Sequence, residues 1–172
     1  MSAGVDMADG LGVKEVPVVK ADGTTAFTAK VPVFFGLKNF FGYIWRVSED
    51  ELAEANADKT MKHWVTPSIY GTYTYGSTAG MVLKSTAPTY PGGWIKRMSY
   101  DGLEMWPTEV GGSESTYQGD HYWNSSNISS GFRAVFRGAT TSYGGHAGCG
   151  AVNVNNAVTN ANANIGSPLN NE

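Results

Sequence analysis

A chain of 172 residues with a formal net charge of -3 suits one domain with a real core, without disulfide support. Its 12 Lys and Arg are scattered and outnumbered by 15 acids, so no nucleic-acid partner is expected. The single Cys149 excludes an internal disulfide or a Cys-based zinc site, and no apolar run is long enough to span a bilayer, so no membrane insertion is expected either.

Five Trp, nine Tyr and 22 Gly favour strands and turns over long helices. Residues 1–12 lack periodicity and read as a flexible lead-in or the stump of a longer parent, and with no basic patch followed by an apolar stretch no signal peptide is expected. Lys14–Val19 and Thr25–Val31 read as two strands around the turn Ala21-Asp22-Gly23. The run from Val33 to Val47, the most apolar in the chain, is broken by Gly36 and Gly42 and reads as short buried pieces. These features divide the chain into an N-terminal lead-in and hairpin, 1–33, and a main domain, 34–172.

A helix is expected from about Glu49 to His63. Ser48 and Glu51 have capping-box spacing, the acids Glu49-Asp50-Glu51 suit a helix start, and Leu52, Ala55 and Ala57–Met61 continue on a helical period. Beyond Thr66-Pro67, strands are expected at Ile69–Tyr75, Met81–Lys84, Trp94–Tyr100 and Leu103–Trp106, with a tight turn at Asp101-Gly102 and a break at Pro91-Gly92-Gly93. Phe132–Arg137 alternates as a strand.

The last part of the chain is compositionally distinct. Residues 138–171 contain no Lys, Glu, Gln, Met or Trp, although those types fill 27 of the first 137 positions. Every type present is reached by changing the adenines of an Asn codon that ends in a pyrimidine, whereas the five absent types are not. A stretch diversified through adenines has this composition, although a turn-rich Gly/Asn segment also lacks long side chains. Ala151, Val152, Val154, Ala157, Val158 and Ile165 supply regular apolar anchors and point to order. On an alternating strand, Asn153 and Asn155 share one face while Val152 and Val154 point the other way.

The run Gly36-Leu37-Lys38-Asn39-Phe40-Phe41-Gly42-Tyr43-Ile44-Trp45-Arg46 resembles the Gly-Leu-x-Asp/Asn-x-x-Gly-Asn-Val-Trp-Glu-Trp signature of the formylglycine-generating-enzyme type of C-type lectin fold. Arg133-Ala134-Val135-Phe136-Arg137-Gly138 resembles that family's Arg-Val-x-Arg-Gly-Gly segment. Arg137-Gly138, Gly144–Gly148, Asn155-Asn156-Ala157 and Asn160–Gly166 resemble the variable region of diversity-generating retroelement target proteins of gut bacteria and their phages. Tyr43, Arg46, Ala139 and Val158 depart from the pattern, and the family's upstream half has no counterpart.

The resemblance implies an α+β, C-type lectin-like fold, mostly short antiparallel strands and long loops with one or two helices, with a variable region at about 132–169. It implies a hypervariable receptor-recognition protein that binds a protein or glycan on a bacterial surface and sits on a phage tail tip or a bacterial cell surface, with a homo-oligomer as a further possible partnership.

The palette of Thr140, Thr141, Ser142, Tyr143, Gly145, His146, Cys149, Asn153, Asn155 and Asn156 suits recognition, because Tyr supplies area at low entropic cost and Ser and Asn supply adaptable hydrogen bonds. Tyr143 and His146, the largest of these, are expected to be the strongest contacts. Asp120 beside Tyr122 and Trp123 resembles a sugar-stacking site, weighed against plain core aromatics.

Catalysis, metals and cofactors are not expected. One Cys cannot supply the paired thiolates of the related copper oxidases, and His63, His121 and His146 fall in no metal-ligand spacing. Only Trp123-Asn124 of a calcium-dependent sugar site is present. The alternative from another class is a structural phage tail or surface protein whose Asn-rich end makes subunit contacts.

Overall fold

A computed structural model of the chain describes residues 11–34, 37–38, 44–67, 74, 76–89, 91–100, 104–113, 115, 120–124, 129–160, 162 and 165–166. The expected strand at Ile69–Tyr75, about half of the apolar run 33–47 and the turn Asp101-Gly102 lie outside the described residues, save Thr74 of the strand.

The first sheet is the expected hairpin. β1 (Leu11–Val19) pairs antiparallel with β2 (Thr25–Phe34), which pairs with β3 (Leu37–Lys38). Gly23, at φ 82, makes the turn, and Asp22 caps it by accepting hydrogen bonds from Thr24 N and Oγ1.

The second sheet holds nine strands: β4 (Trp45–Ala55), β5 (Met61–Val65), β6 (Val82–Ser85), β7 (Gly93–Tyr100), β8 (Met105–Val110), β9 (His121–Trp123), β10 (Gly131–Arg137), β11 (Val152–Asn153) and β12 (Ile165–Gly166). The pairing order is β6-β5-β4-β10-β11-β9-β7-β8, with β12 on β4, and the sheet curls into a nearly closed barrel. β4 takes β10 along one edge and shares the other between β5 and β12.

The α+β, C-type lectin-like expectation is therefore overturned: the described residues are nearly all β, with no α-helix and a single 3-10 turn, Thr141–His146. The helix expected over Glu49–His63 is instead the β4–β5 hairpin, with Leu52 opposite Trp64 and Ala55 opposite Met61. Period two explains the error, since Ala53, Ala55, Met61, His63 and Val65 are buried at every second position and face the barrel interior. Between the strands Lys59 adopts φ 69, while Asp58 Oδ1 accepts from Thr60 N and Asn56 Nδ2 donates to Thr60 Oγ1. A capping-box spacing is thus spent on a strand, where two apolar faces outweigh local helix propensity.

Two cores result, one on each side of the sheet. Inside the barrel Ala53, Ala55, Met61, Ile95, Trp106, Tyr122, Val135, Val152 and Val154 pack together. Outside it, Trp45, Ala134, Phe136, Ala139 and Ala151 form a second cluster, covered by Trp123, Tyr143, Ala147 and Ile165. Burying both faces explains why Ala134, Val135 and Phe136 are consecutive buried residues.

Candidate recognition face and a buried charged cluster

The C-terminal segment crosses the outer face of the barrel. After β10 the chain bends through Gly138 (φ 87) and Ala139 (φ 61), two successive left-handed residues, and enters the 3-10 turn. Tyr143 does not stand free. Its ring lies 5.6 Å from Trp45 and 4.9 Å from Trp123, both edge-on, so much of its area closes the outer core. His146 stacks on Trp94 at 4.5 Å, and its Nδ1 sits 2.9 Å from the Tyr143 carbonyl.

The remaining expected contacts divide by exposure. Ser142 and Cys149 are exposed, and Asn155 and Asn156 are half-buried, whereas Thr140 and Asn153 are each only 5% exposed. Thr140 Oγ1 is 2.8 Å from Ser142 Oγ, and Asn153 Oδ1 accepts from Asn155 N at 2.8 Å, so both serve the fold's own hydrogen bonds. Thr141 and Gly145 lie in the 3-10 turn. The expectation that Asn153 shares an outward face with Asn155 is corrected: in register with Phe136 of β10 and Trp123 of β9, Asn153 is buried, while Asn155 is only half-buried. Val152 and Val154 are buried as expected.

The Cys149 loop is fastened from below by Asp120. Its Oδ2 accepts from Gly150 N at 3.0 Å, and a Cβ added at Gly148 would lie 1.7 Å from its Oδ1. Burial pushes the Asp120 carboxyl above its ordinary range, opposed by the Gly150 hydrogen bond. Burial and then Asp120's charge push the Cys149 thiol up, away from a reactive thiolate. Asp120 is an anchor of this loop, a role that its sequence neighbours Tyr122 and Trp123 did not suggest.

Beside this face opens a cleft of about 350 Å³, lined by Pro91, Gly92, β9 with Asn124, and Asn155. His121 borders it with its ring 4.5 Å from Trp123 and 5.2 Å from His146. Burial, followed by the charge of His146, holds His121 down at about 4, so it is neutral at physiological pH.

Inside the barrel lies a second constellation. Glu51 on β4, His63 on β5, Glu104 just before β8 and Arg137 on β10 converge where the sheet nearly closes on itself. Arg137 donates to both oxygens of Glu51, with Nε to Oε1 at 3.1 Å. His63 Nε2 sits 3.2 Å from Glu51 and 2.7 Å from Glu104, and its ring stacks on Trp106 at 3.8 Å.

Burial alone would raise Glu51, but the charge of Arg137 and the hydrogen bond from His63 hold it well below the carboxylate range. Burial and the nearby Glu51 raise Glu104 to about 7, and the two carboxylates outweigh burial to raise His63. Glu51, His63 and Glu104 each place a ligand atom within 4.8 Å of the others, a set able to approach a metal ion. Arg137 argues against one, because its guanidinium already neutralises Glu51 and repels a divalent cation. The arrangement is a proton-sharing ion cluster tying four strands together. His63 is 1% exposed, and the trio is separated by 12 and 41 positions in sequence, too far apart for any spacing motif.

Comparisons with family models, with curated proteins and with solved structures return no match.

Proposed function

We propose that the chain is a recognition protein that binds a protein or glycan on a bacterial surface through its C-terminal segment, from a phage tail tip or a bacterial cell surface. One observation carries this reading: 139–156 alternates anchors and display on a rigid frame. Ala139, Ala151, Val152 and Val154 are fully buried, while Ser142 and Cys149 stay exposed and His146, Asn155 and Asn156 half-exposed. Side chains set this way are replaceable without disturbing the core, which is what a diversified surface requires.

The composition of 138–171 gives independent support, since all its residue types are reachable through adenine changes. The frame in this proposal is the β barrel, and the reading needs no catalytic step. The structural-subunit alternative is weakened because Asn153, within the Asn-rich end it relies on, already serves an internal hydrogen bond.

The test is genomic. Copies of the gene from many isolates are expected to differ mainly at adenine positions within 138–169, with a reverse transcriptase gene and a near-identical template repeat nearby. Changes spread evenly over codons, at Ala151 and Val154 as often as at Ser142 and Asn156, would overturn the proposal.

A further inference from the structure

We propose that the cleft between the Pro91-Gly92 turn and β9 is a subsite for a neutral sugar ring, with one fixed wall and one variable wall. The inference rests on the recognition reading and narrows its ligand to a glycan.

The fixed wall is held rigidly. Gly92 N donates to the Asn124 carbonyl at 2.6 Å, and a Cβ added at Gly92 would lie 2.1 Å from the Tyr122 carbonyl oxygen, so only glycine lets the turn approach β9 this closely. On the other side Val154 N donates to the Trp123 carbonyl at 3.0 Å, which brings Asn155 to the rim. The volume of about 350 Å³ falls at the small end of ligand sites, roughly 300–1,000 Å³.

The chemistry of the lining selects the ligand. Among the described residues its side chains are amide, aromatic, proline and a His that stays neutral above about pH 4, so none of them offers a counter-charge to an anionic or a cationic ligand. Asn124 is 5% exposed, and its Oδ1 has no hydrogen-bond partner among the described residues; neither has His121 Nδ1. A buried polar group left unmatched is destabilising, and a ligand hydroxyl met by the Asn124 amide as it turns towards the cleft removes that penalty. Hydroxyls both donate and accept, as do the amides of Asn124 and Asn155. The rings of Trp123 and His121, tilted 43° to each other, add an apolar wall for the C–H face of a pyranose. Asn155 alone of these residues belongs to the 138–171 window, so its identity selects among sugars while the other wall stays constant.

The test titrates the full chain with the methyl glycosides of glucose, galactose, mannose and N-acetylglucosamine, with glucuronate and glucosamine as charged controls, read by tryptophan fluorescence and calorimetry. Saturable binding of at least one neutral glycoside and of neither charged sugar is expected. Asn155→Ala, at a half-exposed position, and Asn124→Ser are expected to weaken it about tenfold, roughly one hydrogen bond's worth. Asn160→Ala, exposed and outside the cleft, leaves it unchanged.

Binding that Asn155→Ala does not alter, a preference for a charged sugar, or no saturation by any neutral glycoside overturns the subsite. The two readings fail separately. Adenine-directed variation without glycoside binding retains the recognition protein and removes the cleft, whereas glycoside binding in a gene that varies evenly retains the cleft and removes the diversified face.

Discussion

Tyr143 shows how a single residue can be read two ways. By composition it belongs to the recognition palette, yet its ring meets Trp45 and Trp123 edge-on and covers the outer core. Replacing it by Ala is expected to destabilise the chain by about 2 kcal/mol, the scale of truncating a partly buried aromatic. Urea titration of the variant checks this, and an unchanged midpoint would return Tyr143 to the free surface. Asp120 is the converse case: placed by sequence beside a sugar-stacking pair, it turns out to tether Gly150 and leave no room for a side chain at Gly148.

Among the elements, the β4–β5 hairpin departs furthest from sequence expectation. Its turn holds Lys59 at φ 69, a left-handed conformation that disfavours any residue with a Cβ. Lys59→Gly is therefore expected to stabilise the fold by about 0.5–1 kcal/mol, the left-handed relief less the extra entropy of an unfolded glycine. The same substitution within a helix would destabilise by a similar amount, so thermal melts separate the two structures by the sign of the change. The 3-10 turn is an element of a different kind. It has no repeating pattern of its own and exists because Ala139, Ala151 and Tyr143 need a lid over Trp45 and Phe136.

For the whole molecule, the Glu51-His63-Glu104-Arg137 cluster makes stability depend on pH. Glu104 titrates at about 7 in the fold against an ordinary value of 4.5, so the folded chain holds a proton that the unfolded chain has released between those values. Stability from this group is full below pH 4.5 and is lost as pH rises through 7. His63, also raised above its ordinary 6.5, extends the loss to higher pH. His121, lowered to about 4, has the opposite sign: its contribution is present above 6.5 and lost as pH falls through 4. Glu51, held far down, adds stability that disappears only in strong acid.

The two signs compete between pH 4.5 and 6.5, and above 6.5 the Glu104 and His63 terms act alone. Unfolding free energy is expected to be nearly flat from about pH 4.5 to 6.5 and to fall towards pH 8. Glu104→Gln, which keeps the shape without the titration, should flatten the alkaline fall, as measured by denaturant titrations at a series of pH values. An alkaline slope of undiminished size in that variant would place its origin elsewhere.

Local signals in the sequence located several elements. Gly23 and its neighbours announced the first hairpin, and alternation announced β10. The apolar anchors Val152 and Val154 were legible because fully buried positions tolerate few other side chains. The helix at Glu49–His63 was misread because alanines and a capping-box spacing satisfy helical and strand periods alike over so short a run. The display positions were legible only as a class, since the sequence does not state which way a polar side chain faces.

What the sequence by itself determined is therefore local and compositional: a turn-rich, aromatic-rich chain, a C-terminal segment of restricted residue types, and apolar positions such as Val152 and Val154 that anchor it. Only the tertiary structure decided the rest. Barrel closure brings Glu104 to His63 across 41 positions, and the insertion of β11 between β9 and β10 buries Asn153 while leaving Asn155 at a cleft. Those outcomes depend on which strands pair. Pairing is set by the sum of many long-range contacts, which no local spacing encodes.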